Sequence, residues 1–152
     1  MPNWCYNRID VYGEEDTVDQ IKEIHDLFEN YDDPFNQIFP IPDFKNIPNE
    51  QGELPVLKQE FNKDGKLMWE TYNFPDGKND DRWYHWCIAN WGTKWEPDMA
   101  DIEYADSEHL QLTFSTAWSP PEGIVEKLRY KYPDLSFSCF YDEPGMEIAG
   151  YY

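Results

Sequence analysis

The side chains most able to do chemistry lie between residues 83 and 108. His85 and Cys87 stand two apart in "WYHWCIANWGTKWEPD", a potential zinc pair, but on a helix two such positions point in different directions. Asp98, Asp101 and Glu103 are carboxylates of the kind that hold Mg²⁺ in a nuclease or hydrolase. With 31 Asp and Glu in 152 residues, however, closeness along the chain carries little information, and solvated strand ends are the ordinary reading. Nucleophile patterns such as GxSxG, phosphate loops of the GxxxxGK type and dinucleotide fingerprints are absent. The sequence therefore predicts no catalytic residue, no metal and no cofactor. A metal-dependent hydrolase ranks behind two binding functions.

The same stretch holds four of the seven tryptophans. Trp83, Trp86, Cys87, Asn90 and Trp91 share one helical face, and Gly92 is suited to end that helix. Aromatic stripes at this spacing usually bury area, which places Trp83, Trp86 and Trp91 in a core. The competing reading opens Trp91 and Trp95 as a groove for a base or sugar. Stacking on single strands comes with a positive track, though, and only Lys94 is near.

Charge excludes more than any motif does. Twelve Lys and Arg against 31 acids give −19 and a pI near 4.2, so phosphate backbones and anionic membranes are repelled. Direct nucleic-acid binding is not expected. The acids are also bunched: ten fall between Asp10 and Asp33 against the single base Lys22, and eight fall from Trp95 through Glu126 with no Lys or Arg. If the helix at 17–30 and the 96–108 region share one side, Glu14, Glu15, Asp19, Glu23, Asp26, Asp98, Asp101 and Glu103 form a negative surface that steers a basic protein. Acidity for solubility alone is the plain alternative.

The chain length suits one domain, and 40% hydrophobic with 18% aromatic residues argues for a packed core despite a mean hydropathy of −0.84. Cys5, Cys87 and Cys139 are odd in number and never paired as CxxC, which favours a reducing compartment. With no signal-like or membrane-spanning run, the expected location is the cytoplasm.

Several elements must position these side chains. Residues 4–12 alternate Cys5, Asn7, Ile9 and Val11 against Tyr6, Arg8, Asp10 and Tyr12, as in a half-buried strand. Val18, Ile21, Ile24, Leu27 and Phe28 recur at helical spacing over 17–30, with Thr17 and Gln20 as a capping box. Six of the twelve prolines interrupt residues 34–80, where Asp64-Gly65 is a hairpin cue although Lys58, Gln59 and Glu60 would also suit a helix. Residues 101–105 pair with 109–117. "SPPE" opens a helix with Ser119 as cap and Pro120 in its first turn, Pro133 stops it, and "LSFSCFY" and "MEIAGYY" supply further strands. Leaving aside an irregular insert at about 32–82, the order is β-α-β-β-α-β, the ferredoxin-like split βαβ of α+β proteins: an antiparallel sheet with helices on one face, in a single domain spanning 1–152.

"MPNWCYNRIDVYG", "NWGTKW" at 90–95, "TAWSPP" at 116–121 and "YDEPG" at 141–145 resemble the signature blocks of the YubB-type ferredoxin-like family. The resemblance implies that fold and an origin in bacteria, plasmids or phages, and it carries no activity, cofactor or catalytic residue. It also suggests that "NWGTKW" and "TAWSPP" meet in one corner, read first as structural, with Trp91, Trp95 and Trp118 packed and Asn90 and Thr93 or Thr116 tying backbone to backbone, and second as a peptide or small-ligand pocket lined by Asn90, Trp91, Trp95 and Trp118. The leading expectation is a non-enzymatic interaction protein with an acidic face for a basic partner. Its sharper form is a mobile-element inhibitor that mimics a phosphate backbone, of the anti-restriction or anti-CRISPR type.

Overall fold

The computed structural model describes residues 2–152. The alternation in residues 4–12 becomes β1 (Trp4–Tyr12), with Cys5, Asn7, Ile9 and Val11 buried. β1 lies between β5 (His109–Ala117) and β6 (Ser136–Glu143), antiparallel to both. β4 (Asp98–Ala105) and β7 (Ile148–Tyr151) complete a sheet of order β4-β5-β1-β6-β7. Stripped of the edge strand β7, this is the ferredoxin-like topology, with one β4–β5 hairpin and two helical crossovers.

One face of the sheet carries α1 (Val18–Asn30) and α4 (Glu122–Lys131). Ile21 and Ile24 of α1 and Ile124, Val125 and Leu128 of α4 are buried along with Ile9, Val11, Leu110, Leu112 and Phe114 of the sheet. The short α2 (Pro34–Ile38) adds Phe35, fully buried and edge-on to both Trp91 and Phe114 at about 5.6–5.7 Å between ring centres.

Two caps differ from expectation. Thr17 stands at the N-cap of α1 but makes no side-chain cap bond there and no box with Gln20. Its hydroxyl accepts from Glu14 N (2.8 Å) and donates to Glu14 O (3.0 Å), closing a 3₁₀ turn over Glu15–Thr17 one turn earlier. Ser119 does not cap α4 either, because its hydroxyl donates to the Gly92 carbonyl at 2.5 Å and the helix begins only at Glu122.

Two compact units divide the chain: residues 1–40 with 87–152, and Ile41–Trp86. The insert expected at about 32–82 thus meets a compact unit shifted towards the C-terminus, with α2 belonging to the first unit. In the second unit, β2 (Val56–Phe61) and β3 (Leu67–Asn73) form the hairpin that Asp64-Gly65 predicts. Asn62 Oδ1 accepts from Asp64 N and Lys66 N across its turn. Arg82, at the start of α3 (Arg82–Asn90), binds Asp80 through Nε (2.8 Å) and Nη2 (2.9 Å). Its Nη2 also donates to the Phe44 carbonyl (2.7 Å), and the guanidinium stacks on Phe44 and Phe74. Trp83, expected in a core, is half exposed.

Candidate protein-interaction surface

Where β1 ends, Gly13 N donates to the Glu108 carbonyl (2.8 Å), joining the start of the Glu15–Thr17 turn to the β4–β5 turn. α1 then packs back along β4. Glu14 and Glu15 therefore stand at the same end of the sheet as Asp106 and Glu108. Further along α1, Asp26 lines the same slot as Asp106. Asp26 pairs with Lys22 (3.8 Å) and with His25 Nδ1 (3.0 Å). Asp19 and Glu23 are both exposed, and burial pushes the nearby Tyr132 phenol up to about 12.

Asp106 is held ionised by its surroundings. The Tyr104 hydroxyl donates to Oδ2 (2.6 Å), while the amides of Glu108 (2.8 Å) and His109 (2.7 Å) donate to Oδ1. Together they lower the carboxyl below its ordinary range, the phenol most of all. Asp98 and Asp101 pair in register with Ser115 and Thr113, and Glu103 Oε1 accepts from the Thr113 hydroxyl (2.9 Å). These three acids face the open side of the edge strand, opposite the helices. The eight predicted acids thus fall into two sets on either side of the β4 edge.

A polar cluster on the open face was not singled out from the sequence. Asp10, buried in β1, accepts from His109 Nε2 (2.9 Å) and Gln111 Nε2 (3.0 Å) and forms an ion pair with Arg8 Nε (3.2 Å). His109 stacks on Tyr12 (4.5 Å) and lies against Tyr104 (5.0 Å), and Arg8 covers Phe140 (5.6 Å). The alternation of β1 places Arg8, Asp10 and Tyr12 on one side, which is the available signal. Two of the partners of Asp10, His109 and Gln111, come from about a hundred residues away.

The tryptophan corner forms as the two motifs suggest. The Thr93 hydroxyl donates to the Ala117 carbonyl (2.9 Å), Ser119 to Gly92, and Thr116 to the Ser119 carbonyl (2.6 Å). Trp91 is 1% exposed and its indole N–H donates to the Phe39 carbonyl (2.8 Å). It is therefore interior, and cannot line a pocket with the others. Trp95 (40% exposed, under the Lys94 ammonium at 4.1 Å) and Trp118 (45% exposed) remain accessible, and Asn90 is half buried. Trp118 holds φ at +70°, a left-handed conformation that costs a non-glycine residue about 1 kcal/mol or more.

Next to this corner, Glu96 accepts from Phe35 N (2.7 Å) and Asn36 N (2.9 Å), capping α2 from 61 residues away. Burial outweighs these two donors and pushes the carboxyl up to about 7. Cys5, Cys87 and Cys139 are buried free thiols raised to about 11, burial being the main cause. Among the described residues, no three His, Cys, Asp or Glu gather closely enough to hold a metal, and no helix is long and apolar enough to cross a membrane.

Residues 90–152 match a family model described as the ferredoxin-like domain in Api92-like protein. The fold also resembles the crystal structure of the protein Api92 from Yersinia pseudotuberculosis, with a TM-score of 0.55 and 12% identity over 99% of this chain and 93% of that one. No curated protein matches the chain, and neither finding names the YubB-type family. At this identity the likeness speaks for architecture alone: residues 90–152 are similar to the Api92-like ferredoxin-like domain, and the chain carries that fold.

Proposed function

We propose that this chain is a non-enzymatic interaction protein that presents carboxylates around its β4 edge to a basic partner protein. One observation supports this above the others: two acidic stretches nearly a hundred residues apart adjoin where Gly13 meets Glu108 and where Asp26 and Asp106 line one slot. Carboxylates on a shared edge add their fields, which extend about 8 Å at physiological salt and speed the encounter with a cationic partner. The same charge disfavours nucleic acid as the ligand. The specific form of this reading is a cytoplasmic, mobile-element inhibitor that occupies the phosphate-binding surface of a nucleic-acid-binding host protein, of the anti-restriction or anti-CRISPR type. The YubB-type resemblance favours that origin.

The test is capture of a basic protein on the immobilised chain, followed by titration of the purified partner. Affinity falls at least tenfold between about 0.05 and 0.3 M salt, and it falls again when Glu14, Asp19, Glu23 and Asp26 are reversed to lysine. Binding that ignores both changes refutes the reading. A second reading, a peptide or small-ligand site at the tryptophan corner, draws on the half-exposed, left-handed Trp118. It requires a ligand that shifts tryptophan emission and raises Tm.

A further inference from the structure

Between α1 and the β4–β5 turn lies a slot of about 310 Å³. Val18, Ile21, Ala105 and Leu110 line its apolar part, while Asp26 and Asp106 stand on its rim. The apolar lining suits an aliphatic or aromatic group better than a sugar or an ion. Around that lining the charge is one-sided. Glu14, Glu15 and Glu108 share this end of the sheet, the Tyr104 hydroxyl donates to Asp106, and the two basic side chains of the lining, Lys22 and His25, both pair with Asp26. A group that enters here therefore meets an uncharged floor inside an anionic surround.

From this we infer that the slot is the anchor pocket for one apolar side chain, leucine or similar, carried between lysines or arginines on an extended or helical segment of the partner. The proposal rests on the reading of a basic partner and adds where that partner is gripped. Charge complementarity selects the occupant: the acids extend along α1 on one side and past the β4–β5 turn on the other. A chain with cations on both sides of an apolar residue satisfies both, whereas a lone small cation satisfies one. A partly enclosed apolar anchor with a charged rim is also the arrangement in which a single side chain dominates an interface.

The probes are two disordered lysine peptides that differ only in a central leucine or serine, titrated by fluorescence anisotropy at low salt. Ala105→Trp fills the slot from an exposed strand end, and Val18→Lys places a cation at its mouth. Each variant is first checked for an unchanged far-UV spectrum. The leucine peptide binds the unmodified chain at least tenfold more tightly than the serine peptide, and that preference disappears in both variants. Equal, steeply salt-dependent affinity for the two peptides overturns the slot and leaves the acidic surface standing. Failure of both peptides to bind in a salt-dependent way overturns the slot and the acidic reading together.

Discussion

At the scale of single residues, the fold removes the carboxyls of Glu96 and Asp10 from water. Glu96 ionises less readily when folded than when unfolded, so between about 4.5 and about 7 the unfolded state has already released a proton that the folded state retains. Stability therefore declines as pH rises through that window. The cost is about 1–2 kcal/mol, reduced from the full linkage value because the carboxyl is partly wetted. Chemical denaturation across pH measures it: the stability of the parent chain relative to Glu96→Gln falls between pH 4.5 and 7.5, and parallel profiles would refute the assignment. Asp10 is buried against two hydrogen bonds, from His109 and Gln111, and an ion pair with Arg8. Removing His109 by substitution with leucine strips one of them and the Tyr12 stack. The expected loss is about 1–3 kcal/mol in urea unfolding, and an unchanged midpoint would show that Asp10 does not depend on it.

Among the elements, the end of α3 and the start of α4 approach closely at two glycines. A Cβ on Gly123 would sit 1.6 Å from the Asn90 carbonyl oxygen, and one on Gly92, at φ +92°, would sit 2.9 Å from the Pro120 carbonyl oxygen. Both contacts are to backbone, so neither neighbour can swing aside. Gly123→Ala is expected to cost about 2–4 kcal/mol by forcing the two segments apart; a loss below about 0.5 kcal/mol in urea unfolding would contradict the packing.

This junction brings "NWGTKW" and "TAWSPP" into the one corner that the family resemblance suggests, although no residue pattern shows its details. The period-2 pattern of β1 and β5 and the stripe of α1 report burial locally, so the β-α-β-β-α-β order follows from spacing alone. Ser119 looks like a helix cap because the four residues after it fit that role, but its hydroxyl is taken by a carbonyl 27 positions earlier. The left-handed Trp118 and the donors to Asp10 likewise depend on contacts that no window of sequence contains. The candidate surface was half legible. The acids themselves are plain in the sequence, but only the Gly13–Glu108 contact and the helix-on-strand packing show that α1 and the β4–β5 turn adjoin. The division of Asp98, Asp101 and Glu103 onto the opposite face follows from the register of β4.

Over the whole molecule, charge is unevenly distributed. Residues 41–86 hold six of the twelve Lys and Arg but only nine of the 31 acids, which leaves the ferredoxin-like unit at −16. Excess of that size raises association rates with cationic partners and is screened by salt. What separates an interaction surface from general solubility is whether the field is concentrated, and that can be read without knowing the partner. Titrating the ¹⁵N-labelled chain with a short oligolysine peptide, while following backbone amide shifts, tests it most directly. The account predicts saturable changes clustered at residues 13–26 and 98–109 and fading as salt is added, with α4, β6 and β7 unmoved. Small shifts scattered over every exposed acid, with no saturation, would contradict it.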